Sequence, residues 1–102
     1  MSGNERFRGM LGLCRRAGKL QSGSDQVLAA IRGGSCRLAL IDAGAAQNTV
    51  KKITDACIYY HVPFLTLPAD ALGEASGRDG RMAAAVTDAG FARALRALAD
   101  AE

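Results

Sequence analysis

Hydrophobic positions recur along this chain in two alternating rhythms. At the start, Phe7, Met10, Leu11, Leu13 and Cys14 follow the three-and-four spacing of a helix. Asn4 stands where a cap belongs, and Gly18 ends the pattern. Leu20 and Gln21 read as a short strand. A second helix is predicted over 24–32, with Val27, Leu28 and Ile31 as its inner stripe and Gly33-Gly34 as its stop. The run RLALIDA then changes rhythm. Residues 38–41 are continuously apolar, the signature of a strand covered on both faces.

Gly44 breaks that strand, and a third helix is predicted over 46–60. Its inner face is Val50, Ile53, Cys57 and Ile58, and Lys51, Lys52 and Asp55 lie on its wet side. Pro63 closes it, because the residue before a proline avoids helical backbone. VPFLTL reads as another buried strand, and Pro68 as the start of a short helix through residue 72. Gly77 to Arg81, GRDGR, reads as an exposed turn. MAAAVT is a last strand of small residues that lets a helix pack closely. Asp88 caps a final helix ending near Leu98, with Phe91, Leu95 and Leu98 inward. Alternating helices and strands predict an α/β fold, a three-layer α/β/α sandwich around a small sheet. The 102 residues suffice for one domain spanning 1–102, without repeat or linker.

Composition narrows the function. The chain is 49% hydrophobic and 23% charged, the balance of a soluble globular protein. No apolar run approaches the roughly 20 residues that span a bilayer, and the N-terminus lacks a signal-peptide core, so a cytoplasmic location and no membrane partner are expected. Cys14, Cys36 and Cys57 form neither a disulfide framework nor a C-x-x-C knuckle, and read as reduced core thiols. The single histidine, His61, reads as a residue closing a helix. No metal site is expected. Neither a G-x-G-x-x-G nor a P-loop is present, and no nucleophile–base set or paired carboxylates stand out, so no cofactor and no catalytic residues are expected.

Charge is uneven. Residues 1–52 carry nine Lys/Arg against three acids, a balance of +6, whereas 53–102 carry four against seven, a balance of −3. An anionic partner met mainly by the first half fits this asymmetry. The stretch Arg15 to Gly34 concentrates the means: a basic helix end, a glycine turn and a fresh helix N-terminus whose amides favour anions. Ser22 and Asp25, three apart, also fit a capping box, which would make both structural. Aromatic residues are few, and Tyr59, Tyr60 and Phe64 read as core or rim packing, which argues against a base-stacking platform.

Three segments together resemble a known family: LGLCRRAGKLQSGSDQVLAAIRGG, LALIDAGAAQNTVKKITDACIYYHVPF and LGEASGRDGRMAAAVTDAGFARAL. The chain resembles the bacterial YlxQ-like branch of the ribosomal protein L7Ae superfamily over residues 7 to 98. The resemblance implies a mixed four-stranded sheet, and RNA binding through the turn opening the second helix and a loop before the last strand. In the kink-turn binders of that family the first element reads G-x-N-E-x-x-K. Here Gly23 matches the glycine, Asp25 and Gln26 fall at Asn and Glu, and Ala29 falls at Lys. Ala43 and Gly44 stand where an acidic pair is frequent. Leu72, Gly73, Ala75 and Gly77 match the second loop, followed by Arg78 and Arg81. The expected RNA contacts are therefore Lys19, Gly23, Ser24, Asp25, Gln26, Arg78 and Arg81, with Arg15, Arg16 and Arg32 adding longer-range attraction. The expected partner is structured RNA, such as ribosomal RNA, with ribosome or translation proteins as further partners of a monomer. A protein-interaction module that has lost RNA recognition is the alternative, and a small-molecule enzyme ranks last.

Overall fold

A computed structural model of the chain describes residues 3–68 and 82–100. The elements are α1 (Gly3–Arg16), β1 (Leu20–Ser22), α2 (Ser24–Gly33), β2 (Leu38–Asp42), α3 (Gln47–Tyr60), β3 (Phe64–Leu67), β4 (Ala83–Val86) and α4 (Ala89–Asp100). The expected helix at 68–72 and the turn at 77–81 lie outside the described residues. The strands form one mixed sheet in the order β1-β4-β2-β3, in which β2 and β3 run parallel and the other pairs antiparallel.

Alternation along the strands sorts the core into two layers. Leu38, Leu40, Ala84 and Val86 face Phe7, Leu11 and Cys14 of α1 and Leu95 of α4. Ala39, Ile41, Ala83 and Ala85 face Val27 and Ile31 of α2 and Ile53 and Cys57 of α3. The expected α/β/α sandwich is the observed one. One of its two inner strands, β4, presents three alanines and a valine, all buried, so helices close on both faces of a thin partition. The three cysteines are buried and free, in keeping with core thiols. Burial pushes each thiol up to about 11.

Several expectations are corrected. β3 is an edge strand, and Phe64 and Thr66 are exposed on it, so it is not buried like β2. Pro63 and Pro68 flank its four residues immediately on either side. Ile58 is 67% exposed and does not belong to the inner face of α3. Its neighbour Cys57 is fully buried in the core, so Ile58, about 100° further round the helix, falls on the outer side. Leu13 likewise lies exposed, one step off the Phe7–Leu11–Cys14 stripe. α1 begins at Gly3, ahead of Asn4, a shift within the ordinary spread of helix ends. α3 ends at His61 in the left-handed conformation (φ 59°), so His61 closes the helix as expected and Pro63 follows two residues later. Asp88 does cap α4: its Oδ2 accepts the Phe91 amide at 2.9 Å. No helix among the described residues is long and apolar enough to cross a membrane.

Candidate nucleic-acid interface

α2 starts from a glycine because the backbone there demands one. Gly23 has φ 109° and ψ 139°, a region that side chains with a Cβ essentially do not enter. Its amide donates to the Ala83 carbonyl at 3.0 Å, and its carbonyl accepts the Val27 amide at 2.9 Å. Thus the turn is bound to β4 on one side and opens the helix on the other. No side chain caps α2, so the capping box expected from Ser22 and Asp25 does not form. Ser22 is occupied as a strand residue opposite Ala84, and Gly23 takes the cap position instead. The first amides of α2, at Ser24, Asp25 and Gln26, therefore have no partner within the helix. They sit at its partially positive end. Ser22, Gly23, Ser24, Asp25 and Gln26 line one shallow concavity of about 390 Å³, with Asp25 and Gln26 exposed.

Other segments converge on the same end of the sheet. Met82 accepts the Asp42 amide at 2.8 Å, and Leu67 accepts the Ala43 amide at 2.8 Å. The chain thus leaves β3 and re-enters β4 beside the turn at Gly23. Arg78 and Arg81, with Leu72, Gly73, Ala75 and Gly77, fall between these anchors, outside the described residues. Ala43 and Gly44 are exposed at this pole, and Ala29 is exposed on the second turn of α2.

One expected contact is not brought to this group. Lys19 lies at the opposite end of β1, where its carbonyl accepts both the amide (2.9 Å) and the hydroxyl (3.2 Å) of Thr87. Arg15 and Arg16, in the last turn of α1, and Arg32, in the last turn of α2, occupy that far pole as well.

Asp42 closes β2 and does not stand out in the hydrophobic pattern. It is 1% exposed, the one buried charged residue among those described. Its Oδ1 accepts the Gly44 amide at 2.7 Å, while Oδ2 has no hydrogen-bond partner. An acid ending an apolar strand just before Ala-Gly is the available signal, since Asp bonds its own backbone two residues on. The described residues contain no group of three or more His, Cys, Asp or Glu placed to hold a metal ion.

The fold is thus a three-layer α/β/α sandwich in which the uncapped N-terminus of α2 is held against β4. Residues 5–96 match the Ribosomal protein L7Ae/L30e/S12e/Gadd45 family, and the chain belongs to that family. It is 46% identical to the RNA-binding protein YlxQ of Bacillus subtilis (strain 168) over 101 residues, covering 98% of this chain and 100% of that one. It is 33% identical to the RNA-binding protein YlxQ of Enterococcus faecium over 90 residues, covering 87% and 86% of the two chains. Among solved structures, a protein of unknown function from Bacillus halodurans C superposes with a TM-score of 0.88 at 37% identity, over 92% of this chain and 96% of that chain. The Giardia lamblia 15.5kD RNA binding protein shares the fold, with a TM-score of 0.73 at 19% identity, over 89% and 85%.

Proposed function

We propose that this chain is a non-catalytic RNA-binding protein of ribosomal type that takes kink-turn-like or other structured RNA in a ribosome or translation context. The observation that carries the reading is the uncapped N-terminus of α2, bound through Gly23 to Ala83 where the segment preceding β4 re-enters the sheet. Its open amides suit phosphate oxygens or base acceptors, and Ser24 and Gln26 add side-chain donors. Arg78 and Arg81 supply phosphate affinity from the neighbouring segment. The naming of two relatives as RNA-binding proteins supports the same reading.

The test is titration of the purified chain with a kink-turn RNA and with a straight duplex of equal length, at two salt concentrations. Tighter kink-turn binding that persists at higher salt supports shape recognition by the Gly23–Gln26 turn. Equal binding that collapses with salt reduces the function to general phosphate attraction. No binding to either RNA moves the reading to a protein-interaction module.

A further inference from the structure

The pole opposite the α2 N-terminus gathers a different set of groups. Arg37 immediately precedes β2, and its amide donates to the Val86 carbonyl at 2.7 Å. Its side chain borders two concavities. One is about 250 Å³ and is also lined by Arg32, Tyr60, His61 and Pro63. The other is about 390 Å³ and is also lined by Arg93, Arg96 and Asp100. Arg32, Arg37, Arg93 and Arg96 are all exposed, and none forms an ion pair among the described residues. Beside them Tyr59 and Tyr60 stand 77% and 43% exposed, in an edge-to-face pair with ring centroids 4.9 Å apart.

A purely local explanation covers only part of this set. Arg32 offsets the negative end of α2. Arg93 and Arg96 lie in the first two turns of α4, the end where the helix dipole gives a cation no reward. Tyr59, 77% exposed, gains little from packing, and Tyr60 keeps 43% of its surface open at the concavity it lines. Cationic groups for phosphates beside aromatic rings for unstacked bases are the combination that single-stranded nucleic acid requires. Among the described residues, the first pole has the open amides but no such ring.

We propose that this second pole binds single-stranded RNA: Arg37, Arg93 and Arg96 hold successive phosphates, with Arg32 beside them, and Tyr60 stacks on a base. The two poles then take a structured and an unpaired segment respectively. Binding at the second pole does not depend on what the α2 turn recognises.

The experiment measures binding of a uridine 12-mer and of the kink-turn RNA to the intact chain and to Arg37→Ala/Arg93→Ala, Tyr60→Ala, Tyr60→Phe and Gln26→Ala variants. All these positions are exposed, and a thermal melt of each variant checks folding. The double arginine variant is expected to weaken the 12-mer and to reduce its salt slope by about 1.4, on the order of 0.7 for each phosphate no longer neutralised. Tyr60→Ala is expected to cost the 12-mer about tenfold, which Tyr60→Phe restores, because phenylalanine keeps the stacking face. Gln26→Ala should leave the 12-mer unaffected. Loss of the 12-mer through Gln26→Ala with no effect of the arginine pair overturns the proposal, as does failure of the intact chain to bind the 12-mer. Failure on the kink-turn alone overturns only the reading of the first pole.

Discussion

The amide of Gly23 donates to the carbonyl of Ala83 at 3.0 Å, joining the residue before α2 to the first residue of β4. Two segments 60 positions apart in sequence are thereby fixed side by side at one end of the sheet. The position of the open α2 amides depends on this bond and on a backbone conformation reserved for glycine.

Gly23→Ala is accordingly expected to destabilise the fold by about 1–3 kcal/mol, the usual cost of forcing a Cβ into such a conformation. Urea unfolding measures it. A midpoint equal to that of the parent chain would show that the turn relaxes without strain.

Gln26 is exposed in the first turn of α2, so Gln26→Ala should leave stability within about 0.5 kcal/mol. Its expected effect is on discrimination, narrowing the affinity gap between a preferred RNA and a control. Equal weakening of both RNAs rules it out as a reader of bases.

Ala29 is exposed one turn further along α2, at the position where the resemblance to kink-turn binders implies a lysine. Ala29→Lys is expected to tighten RNA binding and to steepen its salt dependence by about one phosphate, roughly 0.7–0.9 in log–log slope. An unchanged slope would place the bound phosphates beyond reach of this turn.

Ala85 is fully buried in β4, facing the layer that holds Val27, Ile31 and Ile53. Ala85→Leu should cost about 1–3 kcal/mol through overpacking. A denaturation midpoint at or above that of the parent would mean that α2 and α3 move apart freely.

The buried thiols make stability sensitive to alkali. Burial moves Cys14, Cys36 and Cys57 from 9.0 to about 11, so the unfolded chain releases these protons first. The contribution is fully present below pH 9.0 and is lost progressively as pH rises to about 11 and beyond. Unfolding free energies at pH 8 and pH 10.5, compared between the parent and Cys57→Ala, isolate it. The variant should show a shallower decline.

Much of this architecture is legible in sequence because burial imposes a period. The run Leu38–Ile41 reads as a covered strand, MAAAVT as a strand of small residues against which a helix packs closely, and Val27 and Ile31 as part of an inner stripe. What periodicity does not carry is an element's place in the sheet. VPFLTL looks like a central strand, yet β3 lies at the edge, so Phe64 is exposed. Ile58 is apolar and near the stripe in sequence but lies one step off the buried Ile53–Cys57 face. At the first pole, Gly23 is legible as a turn, whereas the failure of Ser22 to cap depends on its pairing with Ala84, a long-range fact. Lys19 and Gly23 stand at opposite ends of β1, whose three extended residues separate them. Arg37 and Arg93 lie 56 positions apart, and only folding brings them to one groove.

The prolines at 63 and 68 have a consequence for how the molecule behaves in crowded solution. The outer margin of β3 is the kind of surface on which a second copy of a protein lays down a matching strand. Here that margin is four residues long, and neither flanking residue has an N–H to donate. An arriving strand finds too little backbone to template on, and growth of one sheet onto another is checked where it would begin.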